Sequence, residues 1–266
     1  MGSGGQRSVK SRSIGGGSAT GSGGAALSST ASANQATGGG AVSVSSFASM
    51  SADDQWDLIQ KSTQGKAANN YYAWDTDYQR FLNNSGLDGA PTLFDDAALD
   101  HESGVELYRT VYGNASFTGK QIAVKTLYDD KLLYNAGGGQ VYGKGIYTAA
   151  RTTWSASYSR GKNSPLMRFK VDSNSIIDTY TIDQQYKSER RKKGTLAYKL
   201  LRSDYDRDTQ IAMFTLSKGY TAITHGSYTT LLTRKGVKAS KKLADAYDCY
   251  YNLEGDWKKV PIYKGN

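Results

Sequence analysis

The strongest constraint on this chain is a break in composition near residue 47. Residues 1–47 hold 12 of the 30 glycines but no Asp, Glu, Tyr or Trp; all 24 acidic residues, 20 tyrosines and 4 tryptophans follow. Fixing a residue's backbone costs roughly 1–2 kcal/mol of conformational entropy. The Gly/Ser-rich leader carries too little apolar surface to offset that, so residues 1–47 are expected to be disordered. The rest of the chain is long enough for one domain with its own core. The sequence shows no internal repeat, which argues against a solenoid.

Charge divides the same way. Arg7, Lys10 and Arg12 account for +3 of the net +9, which leaves 30 basic against 24 acidic residues in 48–266. A moderately basic domain is compatible with an anionic ligand or a polynucleotide and requires neither. A lone Cys249 excludes an intramolecular disulfide framework and a cysteine-based metal site. With His101 and His225 as the only histidines, no metal centre is expected. No apolar run reaches the length of a membrane span, and no apolar stretch marks a secretory signal at the start. No membrane partner is therefore expected.

Ser51 followed by Asp53 and Asp54 reads as a helix start, with a capping hydroxyl and two carboxylates at the positive helix end. Tyr71, Trp74, Tyr78 and Phe81 recur at helical spacing, which predicts a helix over 67–82 closed by Asn83, Asn84, Ser85 and Gly86. Residues 48–103 are accordingly expected to form a helical extension, followed by a domain over 104–266. There the pattern changes. Strands are expected at 105–112, 143–148, 166–171, 175–182, 219–224 and 227–233, and short helices at 152–160, 196–201 and 208–216. Strands and helices mix without regular alternation, which indicates an α+β class with a mixed or antiparallel sheet.

The most informative stretch is 143–158. Gly143 and Gly145 allow close approach to the backbone, a strand then delivers Tyr147, and a helical turn delivers Ser155 and Tyr158 three residues apart. Two phenol rings flanking a hydroxyl suit a flat, amide-bearing ring, stacked on both faces and hydrogen-bonded at its amide. Among 20 tyrosines any single strand tyrosine is ordinarily core packing; the constellation carries the signal.

These residues resemble the ADP-ribosyltransferase superfamily, whose polymerase-like branch carries a strand ending G-x-G-I-Y and then a Ser and a Tyr three apart. The resemblance implies a split mixed or antiparallel sheet, NAD as co-substrate, and Gly145, Tyr147, Ser155 and Tyr158 around nicotinamide. Two further segments match in order. Leu107, Tyr108, Arg109 and Thr110 stand where the family places its first NAD-binding strand, and Arg109 resembles the toxin-like version, with Arg109 and Thr110 assigned to NAD. A guanidinium suits ribose or phosphate because its planar fork binds oxygens bidentately. Residues 208–235 resemble the closing part of phage-encoded members, which places the protein in a host bacterial cytoplasm or a virion.

One position departs from the family. An acidic residue usually stands at the start of the last core strand, where it steadies the cation formed as nicotinamide leaves. The matching position here is Ser227, and no Asp or Glu occurs between Asp208 and Asp245. Ser227 and His225 can hydrogen-bond ribose but supply no negative charge. The resemblance therefore implies NAD-dependent ADP-ribose transfer to a macromolecular acceptor, a protein in preference to nucleic acid, with catalytic roles for Arg109, Tyr147 and Ser227. The loss of the acid motivates a non-catalytic binding or virion-associated module instead. A third reading, a nucleic-acid-directed enzyme, rests on residues 187–193, whose net charge is +4; such runs are usually solvated faces.

Overall fold

The computed structural model describes residues 42–64, 77–114, 117–130, 144–161, 163–251 and 255–265. The chain opens on α1 (Val44–Ser49), capped by the Ser43 hydroxyl, which accepts from Ser46 N. The first helix thus begins inside the segment expected as leader, and its Val44 and Phe47 are buried. Composition averaged over 47 residues concealed this short apolar stretch. Next comes α2 (Ala52–Thr63), with Ser51 accepting from Asp54 N at 3.1 Å. The predicted second helix is described as α3 (Asp77–Ser85). It runs through Asn83 and Asn84 and closes at Gly86, which takes φ 74°. Tyr71 and Trp74 lie outside the described residues.

The remaining elements are β1 (Thr92–Phe94), α4 (Asp96–His101), β2 (Val105–Thr110), α5 (Gly119–Tyr128), β3 (Ile146–Ala149), α6 (Thr152–Ala156), β4 (Pro165–Val171), β5 (Ile176–Asp178), α7 (Thr179–Glu189), α8 (Leu196–Leu201), α9 (Arg207–Ser217), β6 (Ala222–His225), β7 (Tyr228–Leu231), β8 (Lys238–Ser240), β9 (Ala244–Asp245) and α10 (Ala246–Tyr251). The strand expected over 175–182 stops at Asp178. Its carboxylate accepts from Thr181 N at 2.9 Å and so caps α7. The β-branched residues Thr179, Thr181 and Ile182 favour a strand on propensity alone; the cap and the burial of Ile182 favour the helix.

The strands form one open sheet of order β1-β8-β4-β2-β3-β7-β6-β5, with β9 added to β4. The pairs β1–β8 and β5–β6 are parallel and the others antiparallel. The class is therefore α+β with a mixed sheet. The joins differ in extent. From Val105↔Val171 to Thr110↔Leu166, β2 and β4 match along their length, whereas β2 and β3 meet only at Tyr108↔Ala149. This narrow seam at the sheet centre sets the geometry of the candidate site.

One face of β2 sends Leu107 into the main core, shared with Phe47, Ile59, Tyr78, Phe81, Phe169 and Phe214. The other sends Tyr108 into a smaller cluster with Leu166, Cys249, Trp257 and Val260. Helices α1–α3 contribute to the main core and β1 joins the sheet, so the described residues of 48–103 pack with the strands that follow. Fully buried Arg234 locks this arrangement. Its Nη2 lies 2.7 Å from Asp88 Oδ2, and its Nη1 donates to the carbonyls of Thr126 (3.0 Å) and Asp129 (2.6 Å). Among the described residues no helix is long and apolar enough to cross a membrane, and no group of three or more potential ligands is placed to hold a metal ion.

Candidate functional site

Gly145 leads into β3 with φ 149°. A Cβ there would overlap the Leu231 carbonyl oxygen and stand 3.0 Å from both Leu231 C and Thr230 Cγ2. The close approach of β7 by itself requires a glycine here, beside any ligand approach that the sequence reading assigns to it. Gly143, the other glycine of that reading, lies outside the described residues.

From Gly145 the strand delivers Tyr147, half-buried and paired with Thr230. On the other side of the seam Arg109 reaches from β2 and donates from Nη1 to the Tyr147 carbonyl oxygen at 2.9 Å. Where the backbone ladder between β2 and β3 stops, a guanidinium continues it. Arg109 and Tyr147 are therefore brought together, although 38 residues separate them.

Helix α6 sits over the end of β2. Its Ser155 is buried, and its Oγ lies 3.2 Å from Thr110 Oγ1. Each hydroxyl has one proton and two lone pairs, so either can orient the other and keep capacity for a ligand. The helix ends at Ala156, one turn earlier than expected, and Tyr158 stands in the turn beyond, its backbone N donating to Ser155 O at 3.1 Å.

Tyr158 is 55% exposed and reaches β7, not β3: its hydroxyl donates to Tyr228 Oη at 3.4 Å, and the rings meet edge to face with centroids 6.4 Å apart. The bond to Tyr228 raises the Tyr158 pKa above its ordinary value, with burial adding to the effect. Tyr228 is the functional candidate that sequence reasoning passed over. It lies in the window from which Ser227 was chosen, and only the pairing Ala149↔Tyr228 reveals its position beside α6. Ser227 occupies the turn before β7, and its carbonyl accepts from Ala150 N at 3.0 Å. It therefore helps to hold the ends of β3 and β7 together. His225 is exposed at the end of β6, paired with Tyr228.

The carboxylates of Glu106, Asp206 and Asp183 are engaged elsewhere. Glu106 receives hydrogen bonds from Tyr108 and from Arg168, the latter at 2.6 Å. Asp206 caps α9 and lies 3.5 Å from Lys144. Asp183 pairs with Lys187 and Arg207. Burial, reinforced by Asp206, raises the Asp208 pKa.

Strands β2, β3 and β7 and helix α6 thus bring the Arg109 guanidinium to the Tyr147 backbone, couple the hydroxyls of Thr110 and Ser155, and pair the phenols of Tyr158 and Tyr228. Such a set can stack a flat ring, hydrogen-bond an amide and attract an anion. Set against protein-family models, curated proteins and solved structures, the chain matches none of them.

Proposed function

We propose that the chain binds NAD at the β2–β3–β7 seam and transfers ADP-ribose to a macromolecular acceptor, a protein in preference to a nucleic acid, releasing nicotinamide. One observation carries this reading. The segments resembling ADP-ribosyltransferases, around Arg109, Tyr147 to Tyr158 and Ser227, are far apart in sequence yet lie on adjacent strands and the helix between them. In this reading nicotinamide stacks on Tyr147 and Tyr158, and Ser155, oriented by Thr110, hydrogen-bonds its carboxamide. Arg109 places positive charge near the ribose and diphosphate.

The reaction breaks the bond between the ribose anomeric carbon and the nicotinamide nitrogen. The electron pair leaves with nicotinamide, an acceptor nucleophile bonds to the carbon, and its proton passes to solvent. The cation that develops would meet the dipoles of Ser227, Tyr228 and Tyr158 in place of a carboxylate. That substitution favours a second reading, an NAD-binding module without turnover, because Glu106 and Asp206 are tied to Arg168 and Lys144.

Calorimetric titration with NAD, paired with nicotinamide release in a bacterial lysate, separates the two. Transfer predicts release by the wild type and its loss in Tyr147→Ala with Tyr158→Ala at unchanged melting temperature. Binding without release selects the module, and Ser227→Glu should then create turnover. A folded protein that does not bind NAD would refute both.

A further inference from the structure

The turn between α7 and α8 carries Arg190, Arg191, Lys192 and Lys193 in succession. The ion pairs around it leave these four charges uncompensated. Glu189, the one carboxylate of the run, pairs with Lys218 at 2.7 Å, and Lys187 pairs with Asp183. Most other lysines and arginines among the described residues reach a carboxylate, a carbonyl or an aromatic ring; Arg191, Lys192 and Lys193 reach none, and half-buried Arg190 has only the Tyr186 phenol within electrostatic range. Arg191, Lys192 and Lys193 are exposed.

The turn is nonetheless well held. Lys192 N donates to Glu189 O at 2.9 Å, and Thr195 Oγ1 donates to the carbonyls of Glu189 (2.8 Å) and Lys192 (2.9 Å). The backbone bearing the charges is thus ordered before any partner arrives, which lowers the entropy lost on binding. Beside it opens a pocket of about 410 Å³, where Met50 and Leu196 stand among the polar Gln55, Thr195 and Ser217 and the Glu189–Lys218 pair. A largely polar pocket with Met50 and Leu196 in its wall, next to a cluster of cations, suits a ligand that carries a flat group with hydrogen-bonding edges close to repeated negative charge.

We propose that this turn and pocket form a docking site for single-stranded nucleic acid, with phosphates on Arg190–Lys193 and one unstacked base in the pocket. A duplex keeps its bases stacked and offers none to such a pocket, and an acidic polypeptide has no flat ring adjoining each charge. The site is separate from the seam. Helix α7 begins where Asp178 pairs with Thr224, near the Tyr228 end of β7, and runs for 11 residues before the turn. Docking here is therefore independent of the NAD reading.

The test uses the full chain and a short fluorescein-labelled oligothymidylate, followed by fluorescence anisotropy. Four engaged phosphates predict that affinity falls roughly fifty-fold between about 50 and 200 mM salt, from a slope of about −0.7 per phosphate for single strands. In the combined variant R190S/R191S/K192S/K193S the affinity at low salt should fall at least tenfold and the salt dependence should flatten, with circular dichroism unchanged. Met50→Trp, which fills the pocket, should weaken binding while leaving the salt slope intact. The proposal is overturned if the wild type does not bind at low salt or if the fourfold variant binds as well. It is equally overturned if a duplex binds as tightly as the single strand, or if polyglutamate displaces the oligonucleotide at equal charge.

Discussion

Replacing Gly145 with alanine tests whether this glycine serves the sheet or a ligand. At φ 149° an L-residue is strained, a cost of about 1–3 kcal/mol for such a sparsely populated conformation. The new Cβ would also overlap the Leu231 carbonyl oxygen and stand 3.0 Å from Leu231 C and Thr230 Cγ2, so β3 and β7 must move apart. Forcing a methyl into packed structure adds about 1–3 kcal/mol. A total of about 2–6 kcal/mol should lower the melting temperature by roughly 4–24 °C in a domain of this size. Gly226→Ala is the control, because Gly226 has φ 57° but nothing within 4 Å of a built Cβ. It should cost only the conformational strain, about 1–2 kcal/mol. Differential scanning fluorimetry on both variants isolates the clash. If Gly145→Ala melts with the wild type and loses only NAD affinity, the ligand role stands and the sheet explanation is wrong.

Asp88→Ala should destabilise the protein by about 3–5 kcal/mol in urea unfolding, because it strands the fully buried Arg234 charge; a loss below about 1 kcal/mol would contradict this. The Tyr158 ring carbon resonance, followed by ¹³C NMR, should titrate above the ordinary tyrosine value of about 10 and move back toward it in Tyr228→Phe. The sign follows from linkage. The folded state favours the neutral phenol, so this bond's contribution to stability is complete below pH about 10 and is lost as pH rises through the raised value. A Tyr158 titration unaffected by Tyr228→Phe would show that the phenol pair does not form.

Local signals proved readable because their physics is local. Ser51 caps α2 where a hydroxyl precedes two acids, Gly86 ends α3, and the apolar alternation of β2 divides Leu107 from Tyr108. Asp178 shows where local reading fails: strand propensity runs on through Ile182, but the Asp178 side-chain cap starts a helix at Thr179. β1 was missed because three residues with no strong pattern become a strand only when Val237 and β8 supply partners.

The candidate site divides the same way. The amino-acid sequence alone determined which residue types were present: the arginine, the tyrosines with a serine between them, and an acid-free stretch from 209 to 244. Neither Tyr228 as the partner of Tyr158 nor Leu231 as the reason for Gly145 was legible there. Both depend on strand register, which is set by pairings across tens of residues and by which side chains the core accepts. The same holds for charge. Residues 187–193 declare a net +4 in sequence, and Lys187 pairs locally with Asp183 one helical turn away, but only the tertiary structure turns Glu189 to Lys218 and leaves the cations of the turn together without a carboxylate. Composition sets how much charge and aromatic surface a chain carries; folding decides where it is neutralised and where it remains available.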